Sequence, residues 1–182
     1  SETDNTIKNS SGISITDDGY RIPPISLLNE PKYENAKAAS ADLDSTATRL
    51  VETLRSFGVE TRIVDISRGP AVTRYELQPC AGVKISKITN LADDIALNLA
   101  TAGVRIEAPI PNKPAVGIEV PNKINSIVKI REIIDSQAFS SSKSKLSVAL
   151  GKDISGEQRV ADIAKMPHGL IAGATGSGKS VC

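Results

Sequence analysis

The residues with the clearest chemistry lie in a glycine-rich segment near the end of this 182-residue sequence. The pattern G-x-x-x-x-G-K-[ST], in which backbone amides surround phosphate oxygens, is matched in full by Gly173-Ala174-Thr175-Gly176-Ser177-Gly178-Lys179-Ser180. We expect all eight residues to contact a bound nucleotide. Lys179 is the predicted catalytic residue, because its ammonium group would reach the β- and γ-phosphates, and the Ser180 hydroxyl is the predicted Mg²⁺ ligand. The segment therefore predicts ATP and Mg²⁺ as cofactors.

A phosphate-binding loop of this kind lies between a buried strand and a helix, whose N-terminal dipole favours an anion. The apolar residues in 169–172 supply the predicted strand, and residues 180–182 would begin the helix. A chance match to the pattern has a probability of roughly 1% or less at ordinary residue frequencies. The sequence ends two residues after the motif, so we interpret it as the N-terminal part of a motor, interrupted inside its nucleotide site.

The composition is that of a soluble globular protein, with 40% hydrophobic and 24% charged residues. The net charge is only +1, which gives no basic excess of the kind that strong DNA binders carry. Aromatic residues make up 3%, which argues against a base-stacking platform for single strands. Cys80 and Cys182 form no metal or disulfide pattern, so a reducing cytoplasm is expected. No apolar run is long enough for a membrane span, and any membrane anchor would lie outside this chain.

The order of polar and apolar segments predicts a flexible linker end followed by two domains. Residues 1–19 are polar and form the predicted disordered linker end. Residues 20–28 are extended and stiffened by two prolines, and this segment can dock on the domain that follows. An apolar stripe with helical spacing predicts a helix over 44–57, ended by Gly58. The stripe consists of Leu43, Ala47, Leu50, Leu54 and Phe57.

Alternating and β-branched residues predict four strands after this helix, over 61–66, 71–77, 104–108 and 115–120. Asn90 is the predicted N-cap of a second helix that ends at Gly103, with Asp93 and Asp94 complementing its dipole. Residues 20–125 therefore form one small α/β domain. The predicted second domain begins with a short helix near 131–136 and an exposed loop at 140–145. Its candidate strands are 146–150, 160–162 and 169–172.

Several motifs, in the same order, resemble the start of the motor region of the FtsK/SpoIIIE DNA translocases. They are FGVE at 57–60, SRGPAVTRYELQP at 67–79, SKITNLADDIAL at 86–97, VRIEAPIP at 104–111, GIEVPNK at 117–123, ALGKDISG at 149–156 and MPH at 166–168. The resemblance covers residues 20–182 and is more specific than the phosphate loop alone. Gly169 departs from it, since the family often has a bulkier apolar residue there, and this weakens the predicted strand.

The resemblance implies an α/β fold, with the small α domain over 20–125 followed by the truncated start of a RecA-like P-loop NTPase domain, the β domain, over 126–182. It implies a parent protein that forms a homo-hexameric ring around double-stranded DNA and translocates it with ATP, in cell division or sporulation. Membrane helices outside this chain would anchor that parent at the division septum of a bacterial cell, with this region in the cytoplasm. The acidic Mg²⁺ partner and the DNA-contacting loops would follow residue 182, so this fragment alone is predicted to be inactive.

Two alternatives remain open at this stage. One is another RecA-like hexameric ATPase, such as a conjugation or secretion motor. The other is a non-enzymatic ring-forming domain. For the remaining charged residues we expect structural roles: packing for His168, solvated surface charges for Arg68 and Arg74 rather than DNA contacts, and helix-start electrostatics for Asp93 and Asp94.

Overall fold

The computed structural model describes residues 23–31 and 36–181, and two short strands that precede them. The described side chains of the first long helix begin at residue 41. The linker predicted over 1–19 lies outside the described residues, apart from the paired strands at 7–8 and 14–15. In chain order the elements are β1 (Ile7–Lys8), β2 (Ser14–Ile15), α1 (Ala36–Ser56), β3 (Thr61–Arg68), β4 (Val72–Pro79), α2 (Ile85–Thr89), α3 (Ala92–Leu99), β5 (Arg105–Glu107), β6 (Val116–Pro121), α4 (Ile130–Ile134), α5 (Gln137–Ser140), β7 (Ser147–Lys152) and β8 (Gln158–Asp162).

A four-stranded antiparallel sheet with the order β3-β4-β6-β5 forms the centre of the first part of the chain. One face of this sheet packs against α1, α2 and α3, and the core lies between the two layers. Strand β6 is buried from Val116 to Val120 because it has a neighbouring strand on each side. The core consists of Ala47, Leu50, Leu54, Val59, Tyr75, Leu77, Ile88, Ile95, Leu99, Val116, Ile118 and Val120. The four predicted strands are therefore confirmed, with small shifts at their ends.

Helix α1 contains most of the predicted helix but begins eight residues before residue 44. Three members of the apolar stripe, Ala47, Leu50 and Leu54, are buried in the core, as the helical spacing predicts. Phe57 is an exception, since it lies just after the helix and is 39% exposed. Gly58 follows with a φ of 68°, the left-handed conformation that commonly ends a helix.

The second helix differs from its prediction at both ends. Asn90 is not an N-cap: it is the C-terminal capping residue of α2, a short helix that buries Ile88 and that the sequence pattern did not indicate. Helix α3 begins one residue after Leu91, and its first turn contains Asp93 and Asp94 as predicted. It ends at Leu99, before Gly103, because Ala100 adopts the left-handed conformation.

The last part of the chain is built on the antiparallel hairpin β7–β8, against which α4 and α5 pack. Both strands coincide with predicted ones, and they pair in antiparallel orientation. Helix α5 overlaps the loop predicted at 140–145 at Ser140, and its N-cap is Ser136, whose hydroxyl accepts a hydrogen bond from the Phe139 amide. None of the described helices is long and apolar enough to cross a membrane.

The segment at 23–31 contacts α4. Arg131 Nη1 donates a hydrogen bond to the carbonyl oxygen of Leu28 at 3.1 Å. The same guanidinium lies 3.4 Å from the Glu30 carboxylate. The proline-stiffened N-terminal segment therefore docks on α4, which packs against the hairpin β7–β8.

Candidate nucleotide site

The glycine-rich segment 173–180 forms two consecutive tight turns on the surface. In the first, the Ser177 amide donates to the Ala174 carbonyl oxygen at 3.1 Å. In the second, the Val181 amide donates to the Gly178 carbonyl oxygen at 2.8 Å. Gly176 and Gly178 have φ values of 82° and 85°, which a residue with a side chain adopts only under strain. The whole segment is exposed, so its polar groups are accessible from solvent.

The structure contradicts the secondary structure predicted on both sides of this segment. Residues 169–172 have no regular secondary structure, and Leu170 is 92% exposed. A parallel strand forms only by hydrogen bonding to a neighbouring strand, and no described strand lies beside these residues. At the end of the motif, Lys179, Ser180 and the following Val181 lie in a turn rather than in a helix, and Cys182 lies outside the described residues.

The donor groups present suit a phosphate. Within the described part of the chain, the amides of Thr175, Gly176, Gly178, Lys179 and Ser180 have no backbone acceptor. A Cβ on Gly173 would overlap the Ser177 hydroxyl oxygen, so a substitution there would require the exposed Ser177 side chain to rotate. Exposed amides and an ammonium group are the donors that bind phosphate oxygens in such loops. The donor set therefore fits a nucleotide.

The described residues offer fewer ligands for a metal ion than donors for a phosphate. The Ser180 hydroxyl is exposed and can contribute one oxygen ligand. Among the described residues, however, no cluster of three or more His, Cys, Asp or Glu side chains could hold a metal ion. Mg²⁺ usually combines one or two protein oxygens with phosphate oxygens and water, so one hydroxyl is consistent with a shared site on a bound nucleotide.

Asp162, the last residue of β8, orders the turn that directly follows this strand. Its carboxylate accepts a hydrogen bond from the Ala164 amide at 3.0 Å, which starts a short 3-10 turn over Ile163–Lys165. The same carboxylate accepts one from the Ser144 hydroxyl at 2.8 Å. The motif therefore follows the hairpin β7–β8 after a ten-residue connection, of which residues 166–172 have neither helix nor strand.

His168 and the two arginines differ in their surroundings from what we expected. His168 is exposed, so the packing role expected for it is wrong. Arg68 is partly buried and lines a groove between α1 and the sheet, beside Tyr75 and Asn122. Arg74 is not a solvated surface charge, because its side chain is only 11% exposed and is paired with a carboxylate on β6 and another on β5.

A network of charges, largely buried at Arg74, Glu76 and Glu119 and exposed at Arg105 and Lys113, covers the face of the sheet opposite the helices. Arg74 donates to Glu107 at 2.6 Å, and Lys113 lies 2.7 Å from Glu76. Glu119 has Arg105 at 3.3 Å and Arg74 at 3.7 Å. Sequence reasoning missed this network, although the alternation of Arg74 and Glu76 with apolar residues in β4 placed both side chains on one face. Three cations therefore balance three carboxylates there, and Arg74 is held away from any external ligand.

Comparison with known proteins identifies the two parts of the chain. Residues 22–122 match the FtsK alpha domain, and residues 129–182 match the FtsK/SpoIIIE family. The chain belongs to the FtsK/SpoIIIE family. The predicted α/β fold class is thereby confirmed, and the match over 129–182 identifies that region as the start of the P-loop NTPase domain of the family.

Proteins named DNA translocase FtsK are close relatives of this FtsK/SpoIIIE chain. It is 62% identical over 164 residues to the one from Clostridium acetobutylicum, which covers 90% of this chain and 21% of that protein. It is 57% identical over 163 residues to the one from Caldanaerobacter subterraneus subsp. tengcongensis, covering 90% and 23%. The protein from Listeria monocytogenes is 49% identical over 163 residues, covering 90% and 22%. The chain therefore spans between 21% and 23% of the length of these relatives.

Proposed function

We propose that this chain is the N-terminal part of the motor of an ATP-dependent translocase of double-stranded DNA. The observation that carries the proposal is the complete phosphate-loop motif at 173–180, with exposed and unpaired amides, in a chain up to 62% identical to proteins named DNA translocase FtsK. The proposed substrates of the whole protein are ATP and duplex DNA.

Each residue of the motif has a proposed role in binding the nucleotide. The amides of 174–180 would donate to phosphate oxygens, with the three glycines allowing close approach of the backbone. The Lys179 ammonium would neutralise charge on the β- and γ-phosphates and is the proposed catalytic group. The Ser180 hydroxyl would hold Mg²⁺, which supplies further charge neutralisation when it is bound with the nucleotide.

The proposal extends to the assembly and location of the parent protein. We propose that the α domain over 20–125 and the start of the β domain over 126–182 belong to a homo-hexameric ring. The ring would act in chromosome segregation at the bacterial division septum, with this region in the cytoplasm and membrane contact made only through segments outside this chain. The match of residues 22–122 to the FtsK alpha domain favours this proposal over another RecA-like motor or a non-enzymatic ring-forming domain, because those alternatives do not predict that domain.

The experiment that tests the function replaces Lys179 in the full-length parent. Lys179→Ala should abolish DNA-stimulated ATP hydrolysis, because positioning and electrostatic stabilisation supply nearly all the catalysis of phosphoryl transfer. The matched control is Lys143→Ala, which removes another exposed lysine away from the motif. Near-normal turnover in the Lys179 variant would refute the assignment of this site.

A further inference from the structure

The two parts of the chain meet at two tight turns whose backbones lie in direct contact. One turn, at 68–71, joins β3 to β4, and the other, at 153–157, joins β7 to β8. A side chain on Gly69, which is buried, would overlap the carbonyl oxygen of Ile154. A Cβ on Gly156 would lie 3.0 Å from the carbonyl oxygen of Arg68. Each turn therefore presents a glycine to the backbone of the other. A Cβ at position 69 would overlap backbone atoms, and a Cβ at position 156 would make a tight contact.

The first turn also holds the segment that connects the two parts. The Ser126 amide donates to the Pro70 carbonyl oxygen at 2.8 Å, and the Asn122 amide donates to the Ala71 carbonyl oxygen at 2.9 Å. The Asn122 side chain donates to the Gly69 carbonyl oxygen at 2.9 Å. The chain leaving β6 is thereby bound to the same turn that contacts the hairpin.

The second turn is stiffened from within by Asp153. Its carboxylate accepts hydrogen bonds from the amides of Ser155 at 2.9 Å and Glu157 at 3.0 Å. It also accepts one from Arg159 Nε at 2.8 Å. Burial raises the pKa of Asp153, but these donors outweigh that effect and hold the pKa below its ordinary value. These hydrogen bonds restrain the shape of the turn at 153–157. They therefore oppose a rearrangement of this turn that would make room for a side chain on Gly69.

We propose that the turns at 68–71 and 153–157 form a joint that fixes the hairpin β7–β8 to the sheet of the α domain. The proposal rests on the backbone contacts between the two turns and not on the proposed function. Gly69 and Gly156 are the residues whose lack of a side chain allows these contacts.

Hydrogen exchange in the 182-residue chain tests the joint with two variants and two matched controls. Gly69→Ala should force the turns apart and speed exchange at 150–158 by about tenfold, the effect of an overpacking cost in the usual range. Gly156→Ala should do the same at 67–72. Gly82 has a φ of 88°, close to the 84° of Gly156, but no atom within 4 Å of an added Cβ, so Gly82→Ala reproduces the backbone strain without the contact. Gly103→Ala is the control for Gly69, because its added Cβ also meets open space.

The expected result is faster exchange across the joint in both test variants and unchanged exchange there in both controls. Unchanged exchange at 150–158 in folded Gly69→Ala would overturn the proposal. If a variant does not fold, native-state exchange of the unsubstituted chain in increasing urea decides the question. The hydrogen-bonded amides of Gly69 and Gly156 should then open with one shared free energy, and separate opening free energies would overturn the joint.

Discussion

Arg74 on β4 is bound to Glu107 on β5 at 2.6 Å, although β6 lies between these two strands. The guanidinium reaches across because Gly117 on β6 has no side chain, and a Cβ there would lie 3.0 Å from Arg74 Nε. Within the described residues, Arg74 Nε and Glu119 Oε1 are buried without a hydrogen-bond partner. The network therefore depends on its central cation, which compensates carboxylates on β5 and β6.

Replacing that cation should destabilise the fold strongly. Arg74→Met would leave Glu119 and Glu107 partly buried without their central partner, and breaking such a pair costs about 3–5 kcal/mol. Urea unfolding should show a large decrease in the free energy of unfolding. The control Arg62→Met removes an exposed arginine whose side chain donates to Gln78 among the described residues, and it should cost less than about 1 kcal/mol. Similar losses in the two variants would contradict the central role of Arg74.

Tyr75 should make the fold sensitive to high pH. Burial raises the pKa of Tyr75 above its ordinary value of 10.0, a shift that the hydrogen bond with Thr46 opposes. The folded state therefore binds the phenolic proton more tightly than the unfolded state. This contribution to stability is fully present below the ordinary pKa and is lost as the pH rises through the raised one.

Tyr75→Phe should remove this part of the alkaline destabilisation. The measurement is the free energy of unfolding in urea at about pH 8 and about pH 11, compared between the variant and the unsubstituted chain. Thr46→Val serves as the control, because it removes the hydrogen bond but keeps the phenol. An equal decrease between the two pH values in Tyr75→Phe and in the unsubstituted chain would show that Tyr75 does not contribute.

Asn122 should be important for stability although it lies just after the end of β6. Its side chain accepts a hydrogen bond from the Thr73 hydroxyl at 2.7 Å and donates one to the Gly69 carbonyl oxygen. Thr73 is only 4% exposed, so Asn122→Ala would leave a buried hydroxyl unpaired and cost about 1–3 kcal/mol. Asn98→Ala, at an exposed helix position, should change the free energy of unfolding by less than about 0.5 kcal/mol in the same urea titration. Equal effects would argue against the role of Asn122.

The 182-residue chain by itself should not hydrolyse ATP. The motif lacks a described strand and helix around it, and the described residues contain no acidic cluster for Mg²⁺. Without the helix, most of the dipole and the ordered amide donors that hold phosphate are missing. Phosphate release should stay at background, and a fluorescent ATP analogue should bind weakly at best. Clear turnover by this chain would show that the nucleotide site is complete without further residues.

Duplex DNA should bind this chain weakly. The net charge is +1, and Arg74 is neutralised by carboxylates within the sheet, so few cations are available to displace counterions from the phosphates. A titration against a random-sequence duplex should give weak binding near physiological salt, and light scattering should show a monomer or a weak oligomer. Tight binding by a monomer with a steep salt dependence would place a DNA-contacting surface in the α domain, and Arg68 would be the first residue to replace.

The sequence by itself determined the features that depend on neighbours in the chain. The motif at 173–180, helix α1 and the strands β4 and β6 follow from spacing, since a helix or a strand repeats its buried face at a fixed period. The first turn of α3, with Asp93 and Asp94, is equally local because the helix dipole acts within one turn. These predictions needed no knowledge of which elements lie side by side.

Only the tertiary structure decided the features that depend on distant partners. The charge of Arg74 says nothing about its burial, which follows from β6 lying beside β4 and β5 lying beside β6. Asn90 has the residue type of an N-cap, but the packing of Ile88 into the core placed it at the end of α2. The apolar run at 169–172 has the composition of a strand and no described strand to pair with, so it remains irregular. Gly69 shows its need for glycine only through the carbonyl group of Ile154, 85 positions away in sequence, because steric exclusion acts through space.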